Sequence, residues 1–122
     1  VVGVVSDPSP AVAAATFELT ELDRFLDLFD EPDAQVLDVR MPHESAASPL
    51  AGAVERFLPD LVSKGVPAEL DADRPVLVVC GSGRRAAIAA TLLAGQGYRS
   101  VVLTGAGVSE VLAQRSERAA AA

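Results

Sequence analysis

Val76-Leu77-Val78-Val79-Cys80-Gly81-Ser82-Gly83-Arg84-Arg85-Ala86 is the stretch on which the fold turns. Its first four residues are apolar, three of them β-branched valines, and predict a buried strand. Gly81, Ser82 and Gly83 predict a tight turn. The run Ala86-Ala87-Ile88-Ala89-Ala90-Thr91-Leu92-Leu93 follows and predicts a helix built from strong helix formers. Cys80 therefore stands at the carboxyl end of a strand, facing the amino end of a helix. Open α/β sheets bind ligands in that place. Backbone N–H groups and the helix dipole there stabilise an anion, a thiolate included. Taken alone, a free cysteine ending a strand is a small buried hydrophobe. The glycines and paired arginines that follow make Cys80, the only cysteine of the chain, a candidate nucleophile.

Composition sets the outer bounds. A chain of 122 residues is expected to form one domain with a real core. No apolar run approaches the roughly eighteen residues that span a bilayer, so no membrane partner is expected. Val1–Val5 is too short for a signal-peptide core and lacks a basic flank. One cysteine excludes an intrachain disulfide, and a reducing, cytoplasmic setting is the expectation. The net charge of −7 argues against a nucleic-acid partner. Charge is also unevenly spread. From Arg74 to Ser109 there are four arginines (Arg74, Arg84, Arg85, Arg99) and no acid, a segment of +4 that leaves −11 on the rest of the −7 chain. This basic island around Cys80 points to a small anionic substrate. Arg74 and Arg99 read as ordinary loop residues.

Elsewhere helical and strand patterns alternate. Residues 1–15 are expected to be an arm with a short edge strand over Val1–Val5. Phe17-Glu18-Leu19 predicts a short strand, and Thr20 with Asp23 resembles a capping box. Leu22, Phe25, Leu26 and Phe29 follow helical spacing, which Asp30-Glu31-Pro32-Asp33 ends. Gln35–Arg40 predicts a second strand, and residues 41–49 a loop. A strand is expected over Ala51–Val54, a short broken helix within 57–70 and a turn over 71–75. The helix after Cys80 should end near Gly95 or Gly97. Ser100–Thr104 predicts a further strand, Gly105-Ala106-Gly107 a turn, and Val108–Gln114 a last helix. Residues 115–122 are expected to be a frayed tail. The whole reads as an α/β three-layer domain over residues 16–114, with a mainly parallel central sheet flanked by helices.

Two chemical readings of the Cys80 loop fail on spacing. Gly81-Ser82-Gly83-Arg84-Arg85-Ala86 fits G-x-G-x-x-G/A, but a dinucleotide site wants an acid about twenty residues on. Val101-Val102-Leu103-Thr104 has none. A cysteine phosphatase needs five residues between Cys and Arg, and Cys80 and Arg85 have four. The smaller loop is poorly sized for a phosphoryl group.

A third reading rests on resemblance. Asp38-Val39-Arg40 with Pro42, His43 and Glu44 resembles the D-V-R-x-P-x-E segment of the rhodanese-like domain family. Gly52-Ala53 resembles its later G-A. Cys80, Gly83 and Arg85 match its C-x-x-G-x-R loop, and Gly97-Tyr98 and Gly105 resemble its closing marks. The chain departs from the family pattern at Pro49, where a His is usual, at Ala106, where a Gly is usual, and at Gly81, where thiosulfate-using members often have Arg.

The resemblance implies a single-domain, thiosulfate sulfurtransferase-like enzyme without a cofactor; Arg84-Arg85 resembles the thiosulfate-using members, whereas Cys80-Gly81-Ser82-Gly83 resembles the mercaptopyruvate-using ones, which leaves the donor open. Cys80 would be the catalytic nucleophile that carries a persulfide. Gly81, Ser82, Gly83, Arg84, Arg85 and Ala86 would bind the substrate. Asp38, Arg40 and Glu44 would support the loop. The implied partners are a thiosulfate-like anionic donor and a cyanide or thiol acceptor, with a protein acceptor as a further partner. The alternative is a persulfide carrier or regulatory module with little turnover. His43, the only histidine, has no partner for a triad or metal site.

Overall fold

A computed structural model describes residues 17–121. Five strands form one sheet: β1 (Glu18–Thr20), β2 (Gln35–Asp38), β3 (Ala53–Glu55), β4 (Val76–Val79) and β5 (Ser100–Leu103). Their order is β1-β5-β4-β2-β3, and every pairing is parallel. Five helices alternate with them: α1 (Leu22–Phe29), α2 (Pro42–Ala47), α3 (Leu58–Ser63), α4 (Arg84–Gly95) and α5 (Val108–Ala121). The chain builds outward from β2 to β3, crosses back to β4, and then builds the other way to β5. The sheet's switch point therefore lies between β2 and β4, and the crevice beyond their carboxyl ends is where such sheets hold ligands.

The central strands β2, β4 and β5 are buried along their whole length, as near-continuous apolar parallel strands are. Alternation along β4 sorts its side chains. Leu77 and Val79 join Phe25, Leu26, Leu103, Val108 and Val111 in a core under α1 and α5. Val76 and Val78 join Leu61, Ala86, Ala89, Ala90 and Leu93 in a core under α3 and α4. Cys80 is in phase with Val76 and Val78. Its side chain consequently turns toward α4 and is fully buried there.

The structure corrects several expectations. Thr20 does not cap α1: it ends β1, and the cap position is Glu21, with no side-chain hydrogen bond. The 41–49 loop contains a helix, α2, which Pro42 can open because a helix's first N–H has no internal partner. α4 begins at Arg84, two residues before the alanine run, because Gly83 already provides the entry turn. The 115–122 tail expected to fray instead extends α5 to Ala121. Arg115 lies over the Phe29 ring at 4.3 Å and donates to the Ala51 carbonyl. Arg118 pairs with Asp27 at 3.0 Å and with Asp30 at 3.6 Å. These contacts, with an alanine-rich sequence, carry the helix past Gln114. The strand expected over Val1–Val5 lies outside the described residues.

Ending the chain at Gln114 is expected to cost about 1–2 kcal/mol, the sum of one cation–π contact and a cluster of exposed ion pairs. Urea unfolding of the shortened chain measures this; no change would show that the last turns contribute nothing.

Candidate functional site

At the end of β4 the chain turns through Gly81-Ser82-Gly83 into α4. Gly83 adopts φ +96, and a Cβ there would stand 3.1 Å from the Leu103 carbonyl oxygen. Both the left-handed backbone and the close approach require glycine. A Cβ on Gly81 would stand 2.9 Å from Arg85 Nη2, the far end of a flexible side chain that can shift aside.

The turn folds the helix entry back over the sulfur. Cys80 Sγ accepts the Gly83 N–H at 2.9 Å and the Ala86 N–H at 3.4 Å. The first-turn N–H groups of a helix have no carbonyl partners inside it, so this is a place prepared for an electron-rich atom. Ser82 and Arg84 are exposed on the rim, and among the described residues Arg84 has no ion-pair partner.

Arg85 turns away from the solvent rim to Glu44. Its Nη1 donates to Oε1 at 2.6 Å and its Nη2 to Oε2 at 3.1 Å, a bidentate pair. The Met41 N–H also donates to Glu44 Oε1, at 2.9 Å. The Arg85 hydrogen bond first, and then that of Met41, hold the Glu44 carboxyl at about 2, down from 4.5. The same pair raises Arg85 above its ordinary value.

A second ion pair anchors Glu44. Asp38 ends β2 and is wholly buried, and Arg40 is nearly so, with side-chain exposures of 0% and 4%. Arg40 Nε donates to Asp38 Oδ1 at 3.0 Å and Nη2 to Oδ2 at 2.8 Å. Its remaining donors reach the Glu44 carbonyl at 3.2 Å, Ser48 Oγ at 2.9 Å and the Ser48 carbonyl at 2.8 Å. Ser45 Oγ donates to Asp38 Oδ2 at 3.2 Å. Arg40 is thus consumed in fixing α2 to the end of β2, and α2 presents Glu44 to Arg85. The sequence-picked residues Asp38, Arg40, Glu44, Arg85 and Cys80 form one connected network. Arg74 and Arg99 are not part of it: they donate to the Asp33 and Asp73 carbonyls beside the amino ends of the strands. His43 is exposed.

Sequence reasoning missed Ser45 and Ser48, and it missed Gly107. A Cβ on Gly107 would overlap the Gly81 carbonyl. The next residue, Val108, donates its N–H to the Cys80 carbonyl at 3.0 Å. Glu110 accepts the Gly107 N–H at 2.7 Å. The available signal was a glycine three residues before a glutamate at a helix start, half of a capping box. The start of α5 is therefore clamped directly against the Cys80 turn.

Two outcomes follow from this geometry. Gly107→Ala is expected to destabilise the fold by roughly 2–4 kcal/mol, because backbone has to move away from backbone; urea unfolding measures it, and a neutral change would refute the clamp. Glu44 has a folded value below its unfolded one. Its contribution to stability is complete above 4.5 and is lost as pH falls toward 2. Acid titration of stability should therefore fall more steeply in that window for the wild type than for Glu44→Gln.

The sequence matches the rhodanese-like domain family over residues 21–114. No curated protein matches the chain. Among solved structures, the chain is similar to a rhodanese-related protein of Thermoplasma volcanium, with 26% identity and a TM-score of 0.65 over 80% of this chain and 92% of that one. A rhodanese-like domain protein of Staphylococcus aureus is 19% identical, with a TM-score of 0.67 over 77% of this chain and 90% of that one. A single-domain sulfurtransferase of Saccharomyces cerevisiae is 22% identical, with a TM-score of 0.64 over 80% and 89%. These last two likenesses concern the fold. With the family match spanning most of the chain, the protein belongs to the rhodanese-like domain family.

Proposed function

We propose that this protein is a sulfurtransferase that moves a sulfane sulfur from a thiosulfate-like anionic donor, through a persulfide on Cys80, to cyanide or a thiol. The observation that carries this reading is the Cys80 sulfur, held at the head of α4 as acceptor of the Gly83 and Ala86 N–H groups. Membership of the rhodanese-like family supports the general chemistry.

In the first half-reaction the Cys80 thiolate attacks the outer sulfur of thiosulfate. An S–S bond forms to Cys80, the S–S bond of thiosulfate breaks, and sulfite leaves with the electron pair. In the second, cyanide or a thiolate attacks the terminal sulfur, and the Cys80 thiolate departs unchanged. Attack at sulfur follows the rules of thiol–disulfide exchange. The backbone from Gly81 to Ala86 cradles the bound sulfur, with amide donors near its negative charge. Arg84, free on the rim, attracts the anionic donor. Arg85 is committed to Glu44 and holds the loop, while Asp38 and Arg40 hold Glu44 through α2. The setting in which this occurs is proposed to be cytoplasmic, where a lone thiol stays reduced.

A second reading, a persulfide carrier with little turnover, draws on the complete burial of Cys80, which would slow release to small acceptors. One experiment addresses both. The protein is reacted with thiosulfate and weighed intact, then given cyanide. The wild type should gain one sulfur atom and Cys80→Ser none, and Cys80→Ser should lose steady turnover by at least about a thousandfold. Stoichiometric loading with slow release identifies the carrier. Equal behaviour of wild type and Cys80→Ser refutes both readings.

A further inference from the structure

The Cys80 turn rests at both ends on the connection between β5 and α5. A Cβ on Gly83 would stand 3.1 Å from the Leu103 carbonyl oxygen and 3.8 Å from that of Ala106. A Cβ on Gly107 would overlap the Gly81 carbonyl and stand 2.7 Å from the Cys80 carbonyl oxygen. The Val108 N–H donates to that Cys80 carbonyl at 3.0 Å. The carbonyls of Cys80 and Gly81 thus both face the start of α5. A trans peptide holds its C=O and its N–H on opposite sides, and the described residues contain no cis bond. The N–H groups of Gly81 and Ser82 therefore point away from α5. Val108 packs in the core under α1 and α5, and Cys80 in the core under α3 and α4, so away from α5 is toward the sulfur's side of the sheet. Among the described residues neither N–H has a hydrogen-bond partner. They are two free donors beside the two already on Cys80 Sγ, an arrangement suited to an anion.

One side chain holds the start of α5 in this position. Glu110 is exposed and makes no ion pair among the described residues. Its carboxylate instead bends back onto its own helix start and accepts the Gly107 N–H at 2.7 Å. Gly107 has no side chain of its own to limit its rotation, and glycine is the freest residue of the backbone. Without the bond from Glu110, the Gly107–Val108 unit is free to turn and to release the Cys80 carbonyl. A Cys80–Gly81 peptide that then rotated would offer an incoming anion its carbonyl oxygen in place of its N–H.

Building on the sulfur-transfer reading above, we propose that Glu110 is a positioning residue for the anionic donor. By fixing Gly107 it keeps the Val108 N–H on the Cys80 carbonyl, and so keeps the Gly81 and Ser82 N–H groups turned toward incoming thiosulfate. Glu110 acts through backbone alone and touches neither the donor nor the sulfur. What it contributes is an acceptor oxygen; its negative charge, near a dianion, works against binding. The uncharged amide of glutamine is therefore an adequate replacement, and alanine is not.

The test compares Glu110→Gln with Glu110→Ala in the whole chain. Glu110 is exposed, so the alanine form loses one hydrogen bond and no core packing. Each substitution is made in the wild type and in Cys80→Ser, where thiosulfate can bind without reacting. Thiosulfate is titrated into the Cys80→Ser forms while the Gly81 and Ser82 amide signals are followed by NMR. In the forms that keep Cys80, kcat/KM for thiosulfate is measured with cyanide as acceptor, and urea unfolding gives the stability of each. The Gly81 and Ser82 signals should move as thiosulfate binds. Glu110→Ala should weaken that binding and lower kcat/KM by about tenfold in protein that is still folded. Glu110→Gln should stay within about twofold of the wild type in both. A helix cap with no further role would lower the stability of Glu110→Ala and leave its thiosulfate affinity and kcat/KM unmoved, and that result overturns the proposal. A glutamine form as impaired as the alanine form overturns it as well, as do Gly81 and Ser82 signals that ignore thiosulfate while the wild type turns over. Intact mass separates the remaining case: if wild-type Cys80 takes up no sulfur from thiosulfate, the sulfur-transfer reading itself fails.

Discussion

The buried pair of Asp38 and Arg40 is the constraint on which the site depends. Two charges taken out of water are costly unless they are matched in geometry and their remaining hydrogen-bonding capacity is filled. Here both conditions are met. The guanidinium forks onto the carboxylate, and its other donors go to the Glu44 carbonyl and to Ser48. A pair so enclosed has one arrangement, and that arrangement dictates where α2 sits. Because α2 carries Glu44, the end of β2 reaches across the switch point to the turn that ends β4. Removing either charge would leave the other buried and unmatched, at a cost of roughly 3–5 kcal/mol.

Arg85 illustrates how such a chain of contacts divides labour. Two arginines follow the Cys80 turn in sequence, and nothing in their chemistry distinguishes them. The helix does: consecutive positions lie about 100° apart around the axis, so Arg84 faces solvent while Arg85 faces α2. One guanidinium is spent on architecture and the other left to meet whatever approaches. Gly81 leaves the space beside Arg85 Nη2 open.

Much of this was legible beforehand, and for identifiable reasons. The valine-rich run before Cys80 and the alanine-rich run after it report periodicity and propensity directly, so β4 and α4 were readable, as were β2 and the shape of the sheet. Asp38, Arg40, Glu44 and Arg85 stand out in the sequence through family likeness, and the structure joins them by contacts that the sequence did not reveal. Less legible were features set by distant contact. α2 lies in a short segment with prolines at both sides, where local pattern favours a loop; it is fixed by Arg40, which sits outside the helix. Thr20 looks like a cap locally, yet β5 claims it: the Thr20 carbonyl accepts the Thr104 N–H at 2.9 Å. Gly107 is invisible as a site residue because what it accommodates, the Gly81 carbonyl, is far away in sequence. The end of α5 depends on Asp27 of α1 and Asp30 just past it, which no window around residue 118 contains.

The solitary state of Cys80 has a chemical consequence. Many reactive thiols are reset by a neighbour: a second cysteine attacks the modified sulfur, closes a disulfide and releases the cargo. This chain has one cysteine and so no resolving partner within it. Under the proposed function, a sulfur taken up by Cys80 would stay until a nucleophile from outside these residues attacks it. The lifetime of such a loaded state would then be set by the visitor's access to the turn.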